Sequence, residues 1–217
     1  RYYPSINIEV MYNYINTSLF HFSDKGKTLH LKNELGWNKN KIHFFTVANI
    51  RYEKGIDVLI DAVSKITDRQ NLRFHIIGQP ADEPYKSSIN RKIKKVSEIV
   101  EIHEPVSRDQ LIKFYQAADA YIMPSRSEGF NVSLLEAVAT GLPVIVTDVG
   151  NSNLVAKPVN GTVVNPDSSE QLAQAIDQLL SKPMKKTPES SQYISDNFSF
   201  QNYKERLQEM YRELQFK

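Results

Sequence analysis

Cysteine is absent from all 217 residues, so disulfides, thiolate nucleophiles and cysteine-ligated metals are excluded, and a reducing compartment is permitted without being required. Glycine is scarce, and its eight copies never fall as G-x-G. That removes the fingerprint of nicotinamide and flavin dehydrogenases, and the P-loop pattern G-x-x-x-x-G-K is equally missing. No Asp-x-Asp occurs, so the sequence gives no reason to invoke a bound divalent ion. None of the five histidines reads as sitting with a metal-ligand partner; His43 and His75 fall in expected strands and read as structural. No stretch approaches the roughly 20 apolar residues of a membrane helix, and no charged-then-apolar leader opens the chain. One-sided charge is missing too: 27 basic against 25 acidic residues leave +2, which is no electrostatic footprint for nucleic acid. The chain opens at Arg1 without Met, as a piece of a longer protein would, yet its length is enough to bury a full core.

What is present is a regular alternation of strands and helices. IHFFTVAN at Ile42 to Asn49 is β-branched and aromatic, and the loop RYEKG leads into IDVLIDAVSKI, where Ile56, Leu59, Ile60 and Val63 recur at helical spacing. LRFHIIG at Leu72 to Gly78, IVEIHEP and AYIMP read as further strands. SRDQLIKFYQAAD opens with Ser107 as an N-cap, and SSEQLAQAIDQLLS carries Leu172, Ala175, Ile176 and Leu179 on one face. This order predicts an α/β fold: a doubly wound, mostly parallel, Rossmann-like sheet with helices on both faces. Residues 1–40 show one short apolar alternation at Ile6 to Val10 and no helical period, and are expected as a lead-in; 41–183 form the sheet domain. SKPMKKTPESS, from Ser181 to Ser191, reads as a linker, and 184–217 is expected as a carboxy-terminal helical segment. There a terminal helix carries Tyr203, Leu207, Met210 and Leu214 as an apolar stripe.

The stretch from Pro124 to Asp148, PSRSEGFNVSLLEAVATGLPVIVTD, organises the rest. It reads as a strand end, a turn with Glu128 and Gly129, an apolar helix interrupted by Glu136, a stop at Gly141 and another strand. A helix N-terminus at the carboxyl edge of a parallel sheet is an anion site. Two carboxylates beside it match a ligand's hydroxyl groups, since an ionised carboxylate only accepts hydrogen bonds. The bland readings are that Ser133 and Glu136, at capping-box spacing, close a helix start, and that Glu128 is a loop charge.

EGF at Glu128 to Phe130, LLEA at Leu134 to Ala137 and GLPVIVTD at Gly141 to Asp148 together resemble the nucleotide-sugar-binding signature of retaining GT-B glycosyltransferases, specifically glycosyltransferase family 4. The resemblance implies the carboxy-terminal donor domain of such an enzyme, with the last helix crossing back to an amino-terminal domain beyond this chain. It also implies transfer of a sugar from a uridine or guanosine diphosphate sugar to a polysaccharide, glycolipid or similar acceptor. Glu128 with Gly129, Phe130 and Asn131 would grip the sugar and nearby phosphate, Glu136 would hold the ribose, and Val132 would touch the nucleoside. Val106 in HEPVSRD falls where the family recognises the base, although Glu104 stands where a glycine is usual. Lys54 in RYEKG matches the leaving-group cation. The family's arginine five residues earlier is Asn49 here, and Arg51 is the candidate substitute.

These assignments make Lys54 and Glu128 the candidate catalytic pair, with no metal and no cofactor, the nucleotide sugar being a substrate. A hexosyltransferase-like, cytoplasmic enzyme is expected. The basic helix face of Lys86, Arg91, Lys92, Lys94 and Lys95 is solvated or touches an acidic membrane surface, and the terminal stripe is exposed or joins a second copy. The alternative of a different kind is a non-catalytic nucleotide-sugar-binding or assembly module of the same fold.

Overall fold

The computed structural model describes residues 9–79, 82–183 and 185–215. Six strands, β1 (Ile42–Val47), β2 (Leu72–Ile77), β3 (Val100–His103), β4 (Ala120–Met123), β5 (Val144–Thr147) and β6 (Thr162–Val164), pair in the order β3-β2-β1-β4-β5-β6. Every pairing is parallel. The fold is thus the α/β, Rossmann-like sheet that the alternation of elements predicts. After β3 the chain returns past β1 and lays β4 on its other side. The crossovers therefore diverge between β1 and β4, opening a crevice at their carboxyl ends.

Strand side chains alternate between two apolar layers, because successive Cβ atoms point to opposite faces. Phe44, Phe74, Ile122 and Ile145 enter one layer, covered by α2 (Ile56–Lys65), α3 (Tyr85–Ile93) and α7 (Ser169–Ser181). Phe45, Ile77, Tyr121 and Val146 enter the other, covered by α1 (Lys25–Glu34), α4 (Arg108–Ala117), α5 (Val132–Ala139), α6 (Ser152–Ala156) and α8 (Pro188–Phe198). Burial on both faces is why the central strands β4 and β5 are apolar almost throughout. Phe44 is wholly buried and stacks on Phe74 at 4.7 Å; burying one such ring contributes roughly 2–3 kcal/mol.

The lead-in differs from expectation. Residues 6–8 of the Ile6 to Val10 alternation lie outside the described residues, but from Ile15 onward the segment packs into the second layer through Ile15, Phe20, Leu31 and Trp37. The packed body therefore begins well before Lys41. Helix α1 has no apolar period to betray it; Asp24 caps it by accepting from the Lys27 N–H, and Lys32 anchors it to Asp119 at 2.6 Å. Part of the expected linker is also helical. Thr187 caps α8 and Pro188 takes its first turn, where a missing N–H costs nothing; Ile194 and Phe198 then enter the core. The terminal helix is α9 (Phe200–Gln215). Of its stripe, Tyr203, Leu207 and Met210 are half-buried, Tyr14 packs on Tyr203 at 4.8 Å, and the Leu214 side chain lies outside what is described. Among the described residues no helix is long and apolar enough to cross a membrane.

One half-buried cation gives this packing a pH dependence. Lys186 donates to the Gln116 carbonyl at 2.5 Å, with Ser23 and Thr28 hydroxyls at 3.2 and 3.3 Å. Burial lowers its pKa to about 7, outweighing the attraction of Asp119, while Lys32 pushes it the same way. The unfolded lysine keeps its proton up to about pH 10.4, so between pH 7 and 10 the unfolded chain binds the extra proton. Stability should then rise with pH, by about 2 kcal/mol from pH 7 to 9. Lys186→Met should remove that slope and stabilise the protein at pH 6.5, as urea unfolding at the two pH values would show. A pH slope unchanged in the variant would contradict the assignment.

Candidate functional site

The crevice at the switch point holds a cavity of about 260 Å³. Its floor is the end of β1 (Thr46, Val47, Ala48) and of β4 (Tyr121, Met123, Pro124); its walls are Lys54, Ser125, Glu128, Phe130, Asn131, Val132 and Ser133. A second cavity of about 280 Å³ adjoins it, sharing Val47 and Ala48, and extends over Asn49, Gly78, Pro105, Val106 and Leu111.

Lys54 and Glu128 meet in the first cavity although 74 residues separate them. Lys54 Nζ donates to both carboxylate oxygens at 2.8 Å. Glu128 Oε1 also accepts from Ser125 Oγ at 2.7 Å and from Asn131 Nδ2 at 2.9 Å. The carboxylate is buried, with 7% of its side chain exposed, whereas Lys54 keeps 29%. Counting donors and lone pairs gives the site its chemistry. Oε1 is saturated by three donors, Oε2 accepts only from Lys54 and can take a ligand hydroxyl, and the third ammonium N–H remains for an anion.

Two loops enforce this pairing. After β1, a short 3₁₀ turn at Tyr52–Lys54 ends on Gly55 at φ +61°. After β4, the Arg126 N–H donates to the Glu53 carbonyl at 2.7 Å. The Arg126 guanidinium forks onto Asp57 at 2.8 and 2.9 Å, reaches Asp167 at 2.5 Å, and stacks on Tyr52 at 3.9 Å. Burial opposes ionisation of Asp57, yet the Arg126 and Tyr85 hydrogen bonds hold its pKa below the ordinary carboxylate value. Sequence reading missed Arg126, because its three partners are distant along the chain.

Asn131 caps α5, accepting from the Leu134 N–H at 3.0 Å, so the capping box proposed for Ser133 and Glu136 does not form. The N–H groups of Val132 and Ser133, in the first turn, have no intrahelical acceptor. Phe130 stacks on Tyr12 at 5.5 Å. Gly129 is exposed, and a Cβ built on it would meet nothing within 4 Å.

The candidates do not all converge. Phe130, Asn131 and Val132 line the cavity with Lys54 and Glu128, and Val106 lines the second one. Glu136 lines neither. It lies one turn into α5, where it accepts from Tyr115 Oη at 3.0 Å, and burial raises its pKa against the lowering effects of that bond and of Arg108. The expectation of two glutamates in one cavity is corrected to one glutamate in the cavity and one behind it. Arg51 is exposed and lines neither cavity, while Asn49 lines the second.

Comparison with known proteins agrees with the fold. The family described as glycosyl transferases group 1 matches residues 28–212. An uncharacterized glycosyltransferase of Methanocaldococcus jannaschii is 30% identical over 180 residues, which are 82% of this chain and 46% of that protein. A D-inositol 3-phosphate glycosyltransferase of Corynebacterium urealyticum is 30% identical over 178 residues, 77% of this chain and 42% of that one. The chain thus spans about half the length of the curated relatives it matches. Among solved structures, Anabaena HepE in complex with UDP-glucose superposes with a TM-score of 0.82 at 19% identity, covering 94% of this chain and 57% of HepE; at that identity the likeness bears on fold alone. The switch-point cavity, the strand order and the match over residues 28–212 lead to one conclusion: this chain belongs to the glycosyl transferases group 1 family.

Proposed function

We propose that this chain is the donor-binding, carboxy-terminal domain of a retaining GT-B glycosyltransferase of family 4. The enzyme would move a sugar from a nucleoside diphosphate sugar to an acceptor held by an amino-terminal domain. The observation that carries the reading is the Lys54–Glu128 pair at the switch point, both residues lining one cavity with donor and acceptor capacity to spare. In this reading the diphosphate lies between Lys54 and the first turn of α5, and the sugar offers a hydroxyl to Glu128 Oε2. The base enters the second cavity against Val106. As the glycosidic bond to the diphosphate breaks, the sugar gains oxocarbenium character and negative charge grows on the leaving group. Lys54 and the α5 N-terminus stabilise that charge without a metal ion. Glu128 then has two tasks, aligning Lys54 and holding the sugar, which makes the two residues one unit.

The role of Glu136 needs one movement. Its carboxylate is held by Tyr115, and reaching a ribose requires a rotamer change that releases the tyrosine. HepE was solved with UDP-glucose, which makes uridine diphosphate sugars the first donors to test and guanosine diphosphate sugars the second.

Calorimetric titration of the protein with nucleoside diphosphates and their sugars should show saturable binding of one member. Glu136→Ala should weaken it about tenfold or more, the loss of roughly one charge-assisted hydrogen bond. Tyr115→Phe, which frees Glu136 without removing it, should not weaken it. Binding to no member would remove the donor-domain reading, and binding unaffected by Glu136→Ala would remove the ribose role. Donor binding without turnover in the enzyme that contains both domains would instead favour the assembly-module reading.

A further inference from the structure

Three histidines stand in a row across β1, β2 and β3, from His43 near the amino end of β1 to His103 at the carboxyl end of β3, on the layer that faces α1 and α4. His43 Nδ1 lies 2.9 Å from His75 Nε2, and His75 Nδ1 lies 3.1 Å from His103 Nε2. His43 Nε2 is 2.9 Å from the Asn38 carbonyl. A carbonyl can only accept, so His43 carries its proton on Nε2 and offers a lone pair at Nδ1; His75 must then donate from Nε2 and offer its own lone pair at Nδ1. The direction of the row is set by one backbone oxygen. Trp37 fixes the ring planes, stacked on His75 at 3.9 Å and on His43 at 4.5 Å, and Phe114 closes the other side, 5.3 Å from His103.

The outer end of the row is where the geometry calls for a ligand. In the β2–β3 register His75 is opposite Glu101, and His103 follows Glu101 by two residues on the same face. Glu101 Oε2 lies 3.6 Å from both His75 Nδ1 and His103 Nε2, too far for a hydrogen bond to either. The three ligand atoms therefore form a triangle with edges of 3.1, 3.6 and 3.6 Å. A tetrahedral ion bound at 2.0–2.1 Å has ligand edges of about 3.3 Å. His75 is 3% exposed, His103 21% and Glu101 61%, so the triangle has a buried apex and a solvent entrance.

We propose that His75, His103 and Glu101 form a divalent transition-metal site of the zinc class, with water in the fourth position. Two neutral imidazoles and a carboxylate are a zinc donor set, and hard ions such as Mg²⁺ prefer oxygen ligands. His43 and the Asn38 carbonyl supply the outer hydrogen bonds that orient His75, a device that metal-binding histidines use generally. The hydrogen bonds of the row already leave the His75 Nδ1 lone pair facing the triangle. On binding, His103 turns its Nε2 lone pair to the metal and carries its proton on Nδ1. No ligand of this site lines either cavity of the donor crevice. His103 is nevertheless two residues before Pro105, and its carbonyl accepts from the Gly78 N–H at 3.2 Å. Both neighbours line the second cavity, so an ion here would brace that wall.

Titration of the protein with Co²⁺ should give intense visible bands of a tetrahedral ion, saturating at one equivalent and displaced by Zn²⁺. Zn²⁺, and not Mg²⁺, should raise Tm. His103→Ala and Glu101→Gln change the solvent side of the cluster; each should weaken metal binding at least about tenfold, the scale set by loss of even an outer-shell partner, with Tm in chelator unchanged. Glu128→Ala, in the donor cavity, should leave metal binding intact. Absence of saturable one-to-one binding, or equal affinity in wild type and both variants, would overturn the site. None of these outcomes bears on donor binding, so the two readings stand or fall separately.

Discussion

Lys54→Ala in the intact enzyme should lower kcat about 10²–10³-fold, the usual effect of deleting one donor that faces charge developing in a transition state. Donor affinity should fall far less, because the α5 N-terminus and the second cavity still hold the nucleotide. The reason lies in the donor count: two of the three ammonium protons are fixed by Glu128, which aims the remaining one before the donor arrives. The substitution also leaves Glu128 buried with only Ser125 and Asn131 as partners, and an uncompensated buried charge is costly. Lys54→Arg separates the two effects. It restores the charge, and with it stability, but a planar guanidinium cannot reproduce the geometry of the ammonium, so kcat should recover only in part. Steady-state kinetics with Tm measured alongside would check this, and turnover unchanged in Lys54→Ala would remove Lys54 from the mechanism.

A large loss of stability is expected from a single methyl group at Gly55. This residue sits at φ +61°, and a Cβ there would lie 2.0 Å from the Pro124 carbonyl oxygen. That oxygen belongs to the backbone that leads from β4 into the Glu128 turn, so the clash cannot be relieved by rotating a side chain. Gly36 is the control: its φ is +69°, but nothing lies within 4 Å of its Cβ position. Gly36→Ala therefore isolates the left-handed backbone penalty, roughly 1–2 kcal/mol. Gly55→Ala adds displacement of the loop and should cost about 3–5 kcal/mol, at the upper end for point substitutions. Activity should fall with it, since the same loop carries Lys54. Urea unfolding of the two variants gives the comparison; equal losses would mean that the Pro124 contact is not enforced.

Much of the frame was legible in the chain because its signals are local. The β-branched and aromatic composition of IHFFTVAN marks β1, Ser107 caps α4 as its position implies, and the apolar face of α7 is buried as its spacing implies. The elements that escaped reading are held by remote partners. Helix α1 is polar and is fixed by Lys32 on Asp119, 87 residues away. The start of α8 looks like a linker because proline is a helix breaker everywhere except in the first turn.

The same division holds for the site. Sequence pattern alone determined the alternation of elements, the switch-point motif around Glu128 and the candidacy of Lys54, since each depends on neighbours within one loop or one helix turn. Only the tertiary structure decided that Glu128 takes Lys54 as its partner, that Glu136 turns to Tyr115, and that Arg51 stays outside the crevice. Only it aligned His43, His75 and His103, because parallel strands bring together residues about thirty positions apart through crossovers whose register no single segment encodes.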